Sequence, residues 1–339
     1  MKASLLFGAL LACLPAAGAE VLQVYTWADY LSPEAVKSFE AAQDCRVVID
    51  TFDSNESLYA RLKTGAGGYD LVFPTSYMVQ LLQEQGLLDP LDHAALPNLQ
   101  HLDREVLAKV HDRDMRFAVP YTVGYAVIAC RPDRLRGVTA SWAMFGRNDL
   151  AKRAVLLDDM RETLGAALKS LGHSLNSRDE AQLAAARDVV IGWKRSIAKF
   201  DNEGYKAGID SGEFLLVHGY SGDLFQVAQE NDRVQILVPT EGVTIGCDEM
   251  VIPKSARQPA LALKFINHLL DPEVAAENME WLGYLCPNRE ALKRVSAEFL
   301  KNPAIAIPGE VKARSEVIDD LGPDLAKWTK VWDEIKAAR

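Results

Sequence analysis

Short hydrophobic runs alternate along this chain with stretches whose apolar residues fall at helical spacing. The first run, Val21 to Tyr25, predicts a strand that leads straight into Trp27, Asp29 and Tyr30. Ser32 then reads as an N-cap and Pro33 as the first helical residue, with Ala35, Val36 and Phe39 facing inward. Cys45 to Phe52 predicts a second strand. Asp53-Ser54-Asn55-Glu56 fits a capped helix start, and Leu58 and Leu62 supply that helix's apolar side. Gly65-Ala66-Gly67-Gly68 is a turn that lacks the Lys-Ser/Thr element of a phosphate loop. Asp70 to Pro74 is a short buried strand ending at Thr75-Ser76-Tyr77. The order β-α-β-α-β implies a parallel sheet with right-handed crossovers.

Further on, Val119-Pro120-Tyr121 and Gly124 to Cys130 form an extended crossing segment. Arg153 to Leu157 predicts a strand ending in Asp158-Asp159. Glu213 to Val217 predicts another, followed by a turn at Gly219-Tyr220-Ser221-Gly222-Asp223. Val234 to Pro239 and Glu249 to Pro253 complete the strands. Pro259 to Leu270 and the charged tail from Leu321 to Arg339 read as helices, and no internal repeat is visible. The fold class is therefore α/β.

Length changes this picture: 339 residues exceed one ordinary core, so two lobes are expected. The N-terminus has the pattern of a secretory signal peptide. Lys2 is basic, Leu5 to Leu14 is apolar, and Ala17-Gly18-Ala19 is a cleavage site before Glu20. Lipidation at Cys13 is the other possibility, but Leu11 is a poor match to a lipobox. The expectation is thus an exported, periplasmic protein. Cys45 and Cys130 sit in strand-like runs and read as small buried hydrophobes. The cysteines and the six histidines have no zinc-type spacing, and no metal or cofactor is expected. A net charge of −10 argues against nucleic acid as a partner.

The predicted strands end repeatedly in the same kinds of group. Trp27, Asp29 and Tyr30 come from one, Thr75 and Tyr77 from another, Asp159 and Glu162 from a third, and Tyr220 and Asp223 from a fourth. Asp248 stands just before a fifth. The ends of strands in open α/β sheets are where ligands bind. If these ends converge, they make a cleft of carboxylates and rings, with Arg161 the one basic residue at these points. Such a cleft suits a cation with an apolar body. Each residue also has a structural reading: Asp159 and Glu162 fit a capping box, a turn Asp is ordinarily structural, and Tyr77 and Tyr284 fit a core. His218 reads as a strand-end polar group. Trp142, Trp193, Trp281, Trp328 and Trp332 read as packing residues.

The segments Tyr25-Thr26-Trp27-Ala28-Asp29-Tyr30, Asp53-Ser54-Asn55-Glu56-Ser57-Leu58-Tyr59-Ala60-Arg61-Leu62 and Tyr69-Asp70-Leu71-Val72-Phe73-Pro74-Thr75-Ser76-Tyr77 resemble those of periplasmic polyamine-binding proteins. These are the substrate-binding subunits of spermidine/putrescine ABC transporters. Ser141-Trp142, Leu157-Asp158-Asp159-Met160-Arg161-Glu162, Gly283-Tyr284 and Pro287-Asn288 extend the resemblance over nearly the whole mature chain. It implies two α/β lobes of the type II periplasmic kind with the ligand cleft between them. The boundaries read as a signal peptide over 1–19, a first lobe over 20–122 and 248–292, and a second over 123–247 and 293–339. It further implies that Trp27, Asp29, Tyr30, Thr75, Tyr77, Asp248 and Tyr284 form one wall. Asp159, Glu162, Tyr220 and Asp223 form the other. Rings would cover the methylenes of a polyamine and carboxylates hold its ammoniums, and the chain would act as a monomer that delivers to a membrane permease. If the site is so built, Cys247 and Cys286 neighbour two of its residues and come near enough for a disulfide.

Departures from the family pattern bear on which amine is taken. Ala28 replaces a hydroxyl residue, Tyr220 a Trp, and Gly246 an aromatic; Glu316-Val317-Ile318 stands where some members carry a glutamine. A periplasmic sensor signalling to a membrane partner would use the same fold, and a binder of another small amine the same cleft. An enzyme is not expected, because the sequence offers no nucleophile–base pair.

Overall fold

The computed structural model describes residues 19–65, 68–103, 110 and 112–338. Residues 1–18 of the expected signal peptide over 1–19, with Cys13, and residues 66, 67, 104–109, 111 and 339 lie outside this set.

The local signals build the elements they predict. Ser32 caps the helix Pro33–Gln43, its side chain accepting from the Ala35 amide, and Ser54 caps the helix Asn55–Lys63 in the same way through Ser57. These helices link β1 (Glu20–Thr26), β2 (Cys45–Thr51) and β3 (Leu71–Val72), and β1 pairs in parallel with both of its neighbours. β4 (Ala118–Cys130) is the long crossing strand. Beyond it, β5 (Ala154–Leu156) pairs in parallel with β6 (Ile197–Phe200) and β7 (Leu216–Tyr220). β8 (Gln235–Leu237) adds to β4, and β9 (Thr244–Val251) is joined by β10 (Glu316–Val317). The strand order is β2-β1-β3-β9-β4-β7-β5-β6.

Two parallel regions are thus stitched together by two strands that do not follow the parallel pattern. β4 and β9 run antiparallel, from Ala118 opposite Val251 to Tyr125 opposite Ile245. Their register shifts between Pro120 and Thr122, where Pro120 has no amide hydrogen to give the ladder. The shift accommodates the buried Tyr121, whose hydroxyl donates to the Tyr30 carbonyl at 2.9 Å. One apolar core gathers Val24, Leu71, Phe73, Met250 and Phe265; another gathers Ile128, Leu156, Leu164, Leu216 and Trp328. A fully buried aliphatic or aromatic side chain of this kind is worth about 1.5–3 kcal/mol, so each region can hold its own strands in place. The tail helix Leu325–Ala337 buries Trp328 and Ile335 on the second core.

Several expected boundaries move. The stretch read as a turn at Gly219-Tyr220-Ser221-Gly222-Asp223 is the end of β7 running directly into the helix Ser221–Glu230. His218, Gly219 and Tyr220 find partners in Ile128, Val127 and Ala126 of β4, and this long-range ladder overrides the local turn composition. His218 is fully buried against Trp142, with ring centroids 4.8 Å apart, so it is a core residue and not a polar strand end. β9 starts at Thr244, so Asp248 lies within the strand. Trp281 is 38% exposed and does not pack as expected. Cys45 and Cys130 are buried, as are Cys247 and Cys286, but these last two are free thiols and not a disulfide. The Cys247 thiol lies 3.8 Å from the Asp248 carbonyl.

Candidate functional site

The strand ends converge on one cavity of about 350 Å³ between the two parallel regions. Every residue singled out from the sequence lines it: Trp27, Asp29, Tyr30, Thr75, Tyr77, Asp159, Glu162, Tyr220, Asp223, Asp248 and Tyr284. Asn55, Asn202, Glu203 and Lys206 line it too and were not anticipated. Arg161 does not. Its guanidinium turns away to the Asp319 carbonyl at 2.8 Å and Asn176 at 2.7 Å, and lies over the Trp328 ring.

Asp248 is the best-organised carboxylate. Its Oδ2 accepts from the Tyr30 hydroxyl at 2.5 Å and its Oδ1 from the Thr75 hydroxyl at 2.7 Å. Because Tyr30 has a single hydroxyl hydrogen, the Thr122 hydroxyl 2.5 Å away donates to Tyr30. Asn55 supports Thr75 by donating to its hydroxyl oxygen and accepting from its amide, both at 3.1 Å. Burial pushes the Asp248 carboxyl up, against the pull of the Tyr30 and Thr75 bonds. Each carboxylate oxygen still has a lone pair for a ligand donor.

The second anionic point is the start of the helix Met160–Ser170. Asp159 caps it, accepting from the Arg161 and Glu162 amides at 2.8 and 3.0 Å. Glu162 does not complete the arrangement as a mere capping partner: its Oε2 is buried and has no hydrogen-bond partner. Burial, and then the Asp159 charge, push the Glu162 carboxyl up to about 8. A buried acceptor without a donor costs on the order of 1–3 kcal/mol, which a bound cation would recover. Asn202 Oδ1 is likewise buried and unpartnered.

The third point pairs carboxylates from opposite sides of the cavity. Asp29 follows β1 with a left-handed φ of 52°, a conformation that Asp tolerates better than most residues. Asp223 lies in the first turn of the helix Ser221–Glu230 and accepts from the Tyr205 hydroxyl at 2.5 Å. Between them sits the ammonium of Lys206, 3.1 Å from Asp29 and 4.0 Å from Asp223. Burial pulls the Lys206 ammonium down, but Asp223 and Asp29 outweigh it and hold it above its ordinary value. The expectation that Arg161 is the only basic residue at the strand ends is therefore corrected. Lys206 lies in the short helix Tyr205–Ser211, and nothing local in the sequence marks it as facing the cavity.

Rings complete the walls. Trp27 packs on Phe52 with centroids 4.3 Å apart, and Tyr30 meets Tyr284 edge to face at 5.5 Å. Gly124 and Gly222 clamp Tyr284: a Cβ on either would lie within 2.5 Å of its ring. At Gly246 a Cβ would meet nothing within 4 Å, so the missing ring leaves open space in the wall. Of the Glu316-Val317-Ile318 segment, Val317 and Ile318 line the cavity, while Glu316 is drawn off into an ion pair with Lys169.

Comparison with known proteins agrees with this architecture. Residues 34–307 match the family model described as bacterial extracellular solute-binding protein. The spermidine/putrescine-binding periplasmic protein of Salmonella typhimurium is 32% identical over 94% of this chain and 92% of its own length. A putrescine/cadaverine-binding protein of Pseudomonas aeruginosa is 32% identical over 99% of each chain. The solved spermidine/putrescine ABC transporter substrate-binding protein of Streptococcus pneumoniae superposes with a TM-score of 0.81 at 29% identity, over 94% of this chain and 99% of that one.

Proposed function

The chain belongs to the bacterial extracellular solute-binding protein family, and on that premise we propose that it captures a di- or triamine of the putrescine or spermidine kind and delivers it to the permease of an ABC transporter. The family consists of binding proteins, not enzymes. The observation that carries the choice of ligand is Glu162, a buried carboxylate with an unpartnered oxygen in a ring-lined cavity whose opposite wall holds Asp248. An ammonium loses its water on entering such a site, at a cost of several kcal/mol unless it is paired. Carboxylates at separate points restore that loss, and rings cover the methylenes at about 25 cal/mol per Å².

Asp29, Asp159, Glu162, Asp223 and Asp248 are the residues proposed to hold charge. Trp27, Tyr30, Tyr77, Tyr220 and Tyr284 are proposed to cover the chain, with Thr75 supporting Asp248. The lobes are proposed to span 20–122 with 248–292 and 123–247 with 293–339, and closure between them would exclude water and strengthen both kinds of contact. The segment over residues 1–19 is proposed as a cleaved export signal, and no described helix is long and apolar enough to cross a membrane. The protein is proposed to act as a monomer and, at a net charge of −10, to take no nucleic acid.

Thermal unfolding of ligand-stripped protein with putrescine, cadaverine, agmatine, spermidine and amino-acid controls tests the reading. At 100 times its dissociation constant a ligand adds about 2.7 kcal/mol. A shift with amines that Asp248→Ala abolishes is expected; no shift with any amine would withdraw the assignment.

A further inference from the structure

We infer that Lys206 is a built-in cation that fills one of the ammonium positions of the cavity and so makes the site select diamines over triamines. The inference rests on the amine-binding reading above and narrows it.

Besides the exposed Asp53 and Glu203, which also line it, the cavity carries anionic groups at three points, and they are not equally available. Asp248 is held by neutral hydroxyl donors and keeps its charge uncompensated. The Asp159–Glu162 pair has only neutral donors, two amides on Asp159 and the Thr244 hydroxyl on Glu162, and one Glu162 oxygen is unpartnered. Asp29 and Asp223 differ: a side-chain ammonium already lies between them, in contact with Asp29 at 3.1 Å and within 4.0 Å of Asp223. Lys206 lines the cavity and its side chain is only 22% exposed, so the charge is set into the site.

A lysine side chain ends in the same primary ammonium, on the same kind of methylene stem, as an alkyl polyamine. It therefore satisfies the Asp29–Asp223 pair as a ligand terminus would, and it does so at higher effective concentration because it is tethered. Two anionic points then remain with no cation of the protein's own, which matches two ammoniums, while the third holds one lysine among Asp29, Asp223 and Glu203 and keeps a smaller net negative charge. A third ammonium entering the Asp29–Asp223 corner would meet Lys206 at close range, where like charges repel most on the Asp223 side, 18% exposed, and less beside Asp29, which is 62% exposed. The selection acts by placing a repulsive charge against the longer ligand as well as attractive ones for the shorter. Lys206 also joins residues from either side of the cavity, since Asp29 follows β1 and Lys206 lies beyond β6.

The test is calorimetric titration of ligand-stripped mature protein with putrescine, spermidine and 4-aminobutyrate, comparing the wild type with Lys206→Gln and Lys206→Arg. The expected result is that Lys206→Gln shifts the affinity ratio at least tenfold toward spermidine, while Lys206→Arg keeps the wild-type ratio. Lys206→Met keeps the apolar stem and carries the same comparison if the glutamine variant fails to fold. A ratio within twofold of the wild type in a folded, charge-deleted variant overturns the inference and leaves the amine-binding reading intact. Preferential binding of 4-aminobutyrate that is lost in Lys206→Gln also overturns it, because the lysine would then be a partner for a ligand carboxylate. Failure of every amine to bind the wild type removes the reading on which the inference stands, and the inference with it.

Discussion

The hydroxyl of Tyr30 reaches the carboxylate of Asp248 at 2.5 Å across 218 positions of chain. The bond joins the loop after β1 to the middle of β9, and with Thr75 on the other oxygen it fixes the rotamer of the carboxylate proposed to meet a ligand ammonium. A hydrogen bond to a charged group is worth about 1.5–3 kcal/mol. Tyr30→Phe is therefore expected to weaken amine binding on the order of tenfold, read by calorimetry. Asp248→Ala should weaken it further, because it removes the charge itself. Equal affinity in wild type and Tyr30→Phe would show that the hydroxyl does not orient the site.

Glu162 predicts proton release on binding. Its carboxyl is pushed up to about 8 by burial and by Asp159, so the empty site holds a proton that an arriving ammonium displaces. Affinity should rise from pH 6 to pH 8, and the apparent binding enthalpy should depend on the ionisation enthalpy of the buffer. Glu162→Gln should remove the buffer dependence. Buffer-independent enthalpies in the wild type would contradict the prediction.

The same raised carboxyls make the ligand-free protein less stable at high pH. Glu249, buried with an unpartnered Oε2, is pushed up to about 7, mainly by burial. For Glu162 and Glu249 the folded state holds protons that the unfolded chain releases near its ordinary carboxyl value of 4.5. Their contribution is complete below that value and is lost as pH rises through about 7 and 8. The slope is at most about 1.4 kcal/mol per pH unit for each group. Melting curves of the ligand-free protein from pH 5 to pH 8 should fall, and Glu249→Gln should flatten part of the fall.

Gly222 predicts a loss of a different kind. A Cβ there would lie 2.0 Å from the Tyr284 ring, so Gly222→Ala must move the ring or the strand-to-helix junction. Overpacking of this sort costs about 1–3 kcal/mol. A lowered melting temperature together with weakened amine binding is expected, and an unchanged variant would mean that Tyr284 moves freely.

Gly246 offers the converse. A side chain there begins in open space, and a ring over the ligand should add about 0.5–2 kcal/mol of cation–π attraction. Gly246→Trp is expected to tighten amine binding without loss of stability. Weaker binding of every amine would indicate that the open space is occupied by a bulkier ligand.

Where the determining contacts lie within a few residues, the sequence alone was enough. The caps at Ser32 and Ser54, the helix start at Asp159 and the strand running into Trp27 are local patterns, and each element stands within a few residues of where its pattern places it. The carboxylates and rings could be picked out because they repeat at strand ends, which the α/β order brings to one side of the sheet. Tertiary structure decided the rest. β7 extends through His218 to Tyr220 because β4 supplies its ladder, against a local composition that favours a turn. Cys247 and Cys286 remain free thiols, which spacing alone could not have told. Lys206 meets Asp29 across 177 positions, and no neighbour in sequence marks it as facing inward. A charge on a short helix reads as solvated until packing places an opposite charge beside it, and that placement belongs to the whole chain.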